Sequence, residues 1–521
     1  MNTTTQYSFA TDLLPGERWW GGKVADGRFM PYGTATITRN LSTWKHEPGQ
    51  LPEASNQSAP LLVSTKGRFV WSEQPLTFSF HEGTLTVASD AEIISEAATE
   101  TSTGEGTLRA AYRAACGRFF PPSGKTPAIE MFTKPQYNTW IEMPYRPTQQ
   151  AALDYADAML DAGMPAGVIM IDDKWSPDYG TWTFDPATFP DPKSMLDVLH
   201  AKGFDVIVWL VPFVSPDSAV FRELEEQGLM LQDKNGRTAI RRWWNGLSAV
   251  LDLSNPQATQ WVRERLDALC ELGVDGFKFD GADLYDFHED DRPYAPMTSN
   301  DLCEQWARIG VHYPFNEFRA CWKMGGQPLA QRLQDKPATW DANGIGSLIP
   351  EMLAQGMIGH AFVCPDMIGG GEVNSAKHSG VDQEFFVRYA QIAALSPMMQ
   401  FSVSPSRVLD SEHLEAVNEA LHIREQHMPL IEQLAHHAAE TGDPIIRPMA
   451  YHYPALTEIT DQFLLGDRLI VAPCLQQGVS NRTVTIPEGH WRSDTGELVE
   501  GPAEIRTDCP LNRIPRYMRE D

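Results

Sequence analysis

The chain is short of cysteine, of positive charge and of long apolar runs, and each shortage removes a class of protein. Its seven cysteines are odd in number and scattered, with no Cys-x-x-Cys pair. That excludes a disulfide framework and fits reduced thiols in a cytoplasm. Forty-two Lys and Arg against 69 Asp and Glu leave a net charge of −27 and a pI near 4.9. No basic stripe is therefore available to displace the counterions of nucleic acid or to hold an anionic membrane. Nowhere do the about 18 consecutive apolar residues of a membrane span occur. The opening MNTTTQYSFATDLLPGERWW lacks the basic and apolar segments of a secretory leader, so the expected location is cytoplasmic. There is no solenoid repeat, no low-complexity tract, no HExxH and no His/Cys cluster of zinc-binding spacing.

What remains is a folded chain of 521 residues, 42% hydrophobic and 10% aromatic, with fifteen tryptophans. That length suits about three domains, or one large barrel with additions. Residues 1–120 carry short alternating runs such as GTATITRN (33–40), APLLVSTKGRFVWS (59–72) and TLTVASD (84–90), separated by Gly, Pro and Asn turns. A period of two with no helical stripe predicts an N-terminal β-sandwich. FFPPSGKTP (119–127) reads as a linker.

Over 125–440 the rhythm changes. PAIEMFTKP (127–135), AGVIMIDD (166–173), FDVIVWLVPFV (204–214), VDGFKFD (274–280), IGHAFVCPD (358–366) and SPMMQFSVSP (396–405) read as buried strands. Helical segments such as 148–163, 191–203 and 255–273 alternate with them. Short, continuously apolar strands separated by helices imply a parallel sheet covered on both faces, and the span suits an α/β fold of the (β/α)₈ TIM-barrel kind. A long amphipathic helix over about 410–439 precedes a small C-terminal β domain, 441–521, with strands in 462–475 and 481–493.

In parallel α/β folds the chemistry gathers where strands end. Asp172 and Asp173 close one strand, Asp280 another and Asp366 a third. Three acidic strand ends can form a divalent-metal site or a pair of carboxyls that cleave a glycoside. DGADLYDFHEDD (280–291) lacks the spacing of a calcium loop, and its distal acids Glu289, Asp290 and Asp291 read as a solvated turn. Trp140, Trp175, Trp209, Trp243, Trp244 and Trp340 lie at or near strand ends, where indole faces can stack on sugar rings. The residues thus favour a sugar site, without a metal or other cofactor.

These motifs resemble glycoside hydrolase family 31, the retaining α-glycosidases. GVDGFKFDGAD (273–283) is similar to the family's nucleophile strand, DKPATW (335–340) to its acid/base segment, PDMIGGG (365–371) to a later strand-end motif, and VLDLSNPQATQWV (250–262) to the approach to the nucleophile. The resemblance implies Asp280 as nucleophile and Asp335 as proton donor. It further implies Asp172, Asp173, Trp175, Trp244, Lys278, Arg319, Trp340 and Asp366 as sugar-binding residues. RRWWNGLSAVLDLSNP, SLIPEMLAQGMIGHAFVCPDMIGGG and SPMMQFSVSP resemble the branch of the myogenesis-regulating glycosidase, which is associated with α-galactoside hydrolysis. The implied activity is exo-acting removal of a terminal α-linked hexose. An α-glucosidase stands as alternative, as does a sulfoquinovosidase reading a sulfonate through Arg241 and Arg242, and more remotely a non-catalytic sugar-binding barrel.

Two departures from the family pattern stand out: Asp283 replaces the usual Glu three residues after the nucleophile, and Gln334 replaces the usual Gly before the acid. On the same strand face as Asp280, the Lys278 ammonium is expected to keep it ionised, while Trp340 and apolar neighbours are expected to raise the pKa of Asp335. The expected partner is a small oligosaccharide or glycoside, with no nucleic acid and no membrane; self-association as a homo-oligomer is compatible with the sequence.

Overall fold

The computed structural model describes residues 6–42, 56–373 and 380–520. The first five residues of the stretch read for a leader lie outside them. Eight parallel strands make the central sheet: β1 Gln136–Asn138, β2 Val168–Ile171, β3 Asp205–Leu210, β4 Gly276–Phe279, β5 Phe315–Phe318, β6 Gln331–Arg332, β7 Val363–Cys364 and β8 Gln400–Phe401. They neighbour one another in the order β7-β6-β5-β4-β3-β2-β1-β8. A parallel bridge between Ile368 and Phe401 joins the two ends, with the Ile368 N–H donating to Gln400 O at 2.8 Å. The sheet is thus a nearly closed (β/α)₈ barrel.

Local chemistry explains the repeat. The sequences VIMI, DVIVWL and GFKF form strands buried almost throughout, because helices cover the barrel outside and side chains fill it inside. The helices start where the sequence offers a side-chain cap. Thr148 caps Gln149–Asp161, Asp191 caps Pro192–Ala201, and Asn255 caps Pro256–Leu272. Gly273 ends the last of these at φ 119° and turns the chain into β4. At Gly276 the strands approach so closely that a Cβ would lie 1.9 Å from Phe315 O.

Register then aligns the site. Trp209 on β3 pairs with Lys278 on β4, and Lys278 with Glu317 on β5, so these three lie abreast. With a side-chain period of two, Asp280 and Arg319 stand two residues further toward the mouth on the same face.

The N-terminal region holds a four-stranded antiparallel sheet and a second sheet in which strands 57–64, 68–72 and 93–97 are consecutive neighbours. Strand 57–64 is buried along its whole length, so its residues do not alternate. Two expectations fail here. Residues 108–119 form a helix capped by Thr107, with Leu108, Ala111, Tyr112 and Ala115 on the buried side. Residues 127–135 are no strand: Glu130–Thr133 is a helical turn that feeds β1. The run 204–214 is also split, since Phe213–Val214 leaves β3 and joins a three-stranded sheet with the hairpin Ile240–Trp243 and Gly246–Val250. Helix Ser411–Thr441 leads into a six-stranded antiparallel C-terminal sheet. Among the described residues no helix is long and apolar enough to cross a membrane.

Candidate active site

A cavity of about 330 Å³ opens at the C-terminal ends of the barrel strands, at the small end of the about 300–1,000 Å³ usual for small-molecule sites. Asp172, Asp173, Trp244, Lys278, Asp280, Arg319 and Asp335, all singled out in the sequence, line it together. So do Trp140, Tyr145, Trp209 and Glu372. Trp175, Trp340 and Asp366 stand behind the wall. Trp175 is buried and donates its Nε1–H to Trp209 O at 2.6 Å. Trp340 turns away, donating to Asp382 Oδ2 at 2.8 Å and packing edge-on against Phe385. Asp366 is fully buried.

Both oxygens of Asp280 are engaged. Oδ2 accepts from Trp209 Nε1 at 2.6 Å, and Oδ1 accepts from the Gly281 N–H at 2.9 Å and lies 2.8 Å from Arg319 Nε. Lys278 Nζ is 3.8 Å from Oδ2 but 2.7 Å from Asp172 Oδ2. The lysine therefore bridges two carboxyls, and the nearest cation to Asp280 is Arg319. Burial alone would raise the pKa of Asp280. The charges of Arg319, Lys278 and Arg332 and the Trp209 hydrogen bond outweigh it and hold the carboxyl well below the usual range.

Arg319 is clamped between Asp280 and Asp283 and lies under Trp244, whose ring centroid is 4.5 Å from the guanidinium carbon. Asp283 is wholly buried and accepts from Tyr285 OH at 3.0 Å. Burial, with Asp280 nearby, raises its pKa. The shortened acid is thus the second jaw of the arginine clamp. Asp286 does form the turn after it, but as a buried residue accepting the Asp283 N–H at 2.9 Å.

Asp173 accepts from Tyr179 OH at 3.1 Å and from Asn245 Nδ2 at 2.5 Å. Burial and the neighbouring Asp172 push its pKa up to about 7. Asp335 is more open than Asp172, Asp173 and Asp280, with its side chain 33% exposed, and Glu372 on the same cavity is exposed as well. Its neighbour is a cation and not the expected apolar Trp340: Arg332 Nη1 lies 3.0 Å from its Oδ1. Three rim residues without the freedom of glycine, Tyr145, Lys174 and Ala282, adopt left-handed φ of 59°, 74° and 56°, a strain of about 1–3 kcal/mol each that clusters at functional sites.

Besides Tyr145 and Glu372 on the cavity wall, two supporting residues escaped sequence reasoning. Arg332 is buried and serves Glu317, Asp335 and Asp366 at once; a charge on a strand ending three residues before Asp335 was its one signal. Gln57, from the N-terminal region, reaches under the barrel mouth and donates Nε2–H to Arg319 O at 2.9 Å and Arg332 O at 2.6 Å. Nothing local marks it. Across the site, eight carboxyls (Asp172, Asp173, Asp280, Asp283, Glu317, Asp335, Asp366, Glu372) stand beside the cations Lys278, Arg319 and Arg332. That surplus suits the stabilisation of positive charge.

Two peripheral expectations are corrected. Arg241 is buried, ion-paired with Asp291 and bonded to Asp286 O, while Arg242 is exposed, and neither lines the cavity. Asp291 is accordingly the buried half of an ion pair and not part of a solvated turn.

Comparison with known proteins agrees with this architecture. Residues 130–434 match the family described as glycosyl hydrolases family 31 TIM-barrel domain, and residues 442–521 match the glycosyl hydrolase family 31 C-terminal domain. The chain is 34% identical over 412 residues to the myogenesis-regulating glycosidase of Mus musculus, covering 76% of this chain and 57% of that protein. It is 24% identical to alpha-xylosidase XylQ of Lactiplantibacillus pentosus, over 89% of this chain and 62% of the relative. The chain thus spans less than two thirds of either relative. In fold it resembles a Flavobacterium johnsoniae dextranase solved in complex with glucose, at a TM-score of 0.86 and 18% identity, over 100% of this chain and 67% of the other.

Proposed function

Because the chain belongs to glycosyl hydrolase family 31, we propose that it is an exo-acting retaining α-glycoside hydrolase that releases a terminal α-linked hexose, and that this hexose is galactose. One contrast carries the reading. Asp280 is buried and held anionic between Arg319 and Lys278, whereas Asp335, on the same cavity, has a side chain one third exposed and so within reach of a leaving group. Two carboxyls in two environments are what double displacement requires.

Asp280 attacks the anomeric carbon while Asp335 gives its proton to the departing oxygen. Water then enters with Asp335 taking a proton back, and two inversions leave the configuration retained. The ring acquires positive charge in each transition state, and the surrounding excess of carboxylates stabilises it. Trp140, Tyr145 and Trp244 supply faces for the sugar ring, and Asp172 and Asp173 accept from its hydroxyls. Asp173, with burial and Asp172 pushing its pKa up to about 7, can also donate at neutral pH.

The case for galactose rests on the branch-like segments at 241–256, 347–371 and 396–405 and on the 34% identity with the mouse relative. A sulfoquinovosidase stays the alternative, but Arg241, ion-paired with Asp291, and Arg242 do not line the cavity and do not support it. The same reading divides the chain into 1–120, 125–440 and 441–521.

A panel of 4-nitrophenyl α-galactoside, α-glucoside, α-xyloside and α-sulfoquinovoside tests the sugar, and proton NMR of the first-formed product tests the stereochemistry. We expect the galactoside to have the highest kcat/KM and the α anomer to appear first. A higher kcat/KM for the glucoside would replace the sugar, and initial release of the β anomer would overturn the mechanism.

A further inference from the structure

Asp366 is fully buried, does not line the cavity, and has both oxygens engaged by protein donors. Its Oδ2 accepts the backbone N–H of Lys336 at 2.6 Å and of Gly371 at 2.7 Å, and its Oδ1 accepts from Arg332 Nη1 at 2.6 Å. The loop wraps it so closely that a Cβ on Gly371 would fall 2.5 Å from Oδ1. Its two grips bracket Asp335 in the chain: Lys336 is the next residue, and Arg332, three residues before, donates to Asp335 Oδ1 at 3.0 Å. The same Nη1 thus serves both aspartates. On its far side Arg332 donates Nε–H to Glu317 Oε1 at 3.1 Å, and Glu317 is in turn held by Gln400.

We propose that Arg332 and Asp366 are positioning residues for the proton donor: together they hold the 332–336 segment, aim the Asp335 carboxyl into the cavity and set the charge that it feels. The proposal rests on the reading of Asp335 as acid and base, and it takes Asp366 out of the sugar subsite. Arg332 divides its charge among Glu317, Asp335 and Asp366, so it orients Asp335 without acting as its full counter-ion. The other charged or titratable groups acting on Asp335 are Arg319, Asp283 and Tyr145, with Asp280 and Glu372 on the cavity wall. None of them makes a second hydrogen bond to it among the described residues.

The test is the alkaline limb of kcat/KM on an aryl α-glycoside, which reports the free enzyme's acid. Asp366→Asn removes a carboxylate that shares Arg332 and leaves more of the guanidinium's charge facing Asp335, so the limb moves to lower pH. Arg332→Met removes the cation, so the limb moves to higher pH while kcat falls because the carboxyl is no longer aimed. Opposite shifts are something a merely structural role would not produce. If Asp366→Asn fails to fold, Glu317→Gln strips another carboxylate from the same guanidinium and moves the limb to lower pH as well. A limb that stays in place, or a rise in KM alone in Asp366→Asn, overturns the proposal while leaving Asp335 as acid. Wild-type turnover by Asp335→Ala would instead overturn the underlying reading.

Discussion

Deleting the ammonium of Lys278 tests how Asp280, the proposed nucleophile, is kept anionic. Lys278→Met preserves the side-chain length and removes the charge 3.8 Å from Asp280 Oδ2. At an effective dielectric of about 20, a unit charge at that distance is worth about 4 kcal/mol, or about three pH units of carboxyl titration, as an upper bound. Arg319 remains 2.8 Å from Oδ1, and the site relaxes, so the expected shift is about one to three units. The sign follows from the direction of the native shift. Burial would raise the pKa of Asp280, and Arg319, Lys278 and Arg332 reverse that effect. Loss of one of the three lets the pKa climb. The anion is the reactive form, so kcat/KM must fall as pH drops through the new value. A carboxyl with a depressed folded pKa adds stability above its unfolded pKa and loses it as pH falls through the folded pKa. The variant is therefore also less stable at neutral pH. The assay is kcat/KM for an aryl α-glycoside from about pH 3 to about pH 8, with urea unfolding alongside. A folded variant whose acid limb coincides with that of the parent would refute the electrostatic argument for Lys278 and leave the charge to Arg319, Arg332 and Trp209.

Three further substitutions probe other parts of the account. Arg241→Met leaves Asp291 buried without its partner, which should cost about 3–5 kcal/mol by urea unfolding; the ratio of kcat/KM between 6-sulfonated and 6-hydroxylated substrates should not change, because neither arginine of the pair lines the cavity. Gln57→Ala removes a donor from the carbonyls of Arg319 and Arg332; with a buried acceptor unpaired at about 1–3 kcal/mol, kcat should fall about tenfold while KM moves little, and an unchanged kcat would show that the barrel holds these strand ends unaided. Gly276→Ala places a Cβ 1.9 Å from Phe315 O and should destabilise the fold by about 3 kcal/mol or more, measured as a drop in Tm.

The barrel could be read from the sequence wherever its strands were long and apolar. VIMI, DVIVWL and GFKF announced themselves, and the aspartates that follow VIMI and GFKF pointed to the mouth. The strands Gln331–Arg332 and Val363–Cys364 are two residues each, too short for a periodic signal, so nothing singled out Arg332. Helix 108–119 did carry the spacing 108, 111, 112, 115 on its buried side, but two of those positions are alanines, which contribute little to an apolar stripe. Gln57 lies 262 residues from Arg319 and 275 from Arg332; a contact made by folding one domain beneath another has no local trace. The environment of Asp335 was misread for a related reason. Trp340 is near in sequence, but its indole is drawn off by Asp382 and Phe385, and the group that does face Asp335 sits on the preceding strand.

The central claim, that Asp280 attacks and Asp335 transfers the proton, is tested most directly by the anomeric configuration of the azide products formed from an aryl α-glycoside. With Asp280→Ala, azide must take the place of the nucleophile and give the β-glycosyl azide. With Asp335→Ala, azide must intercept the glycosyl-enzyme and give the α-glycosyl azide. The same anomer from both variants, or turnover near that of the parent in either one without azide, would contradict the assignment.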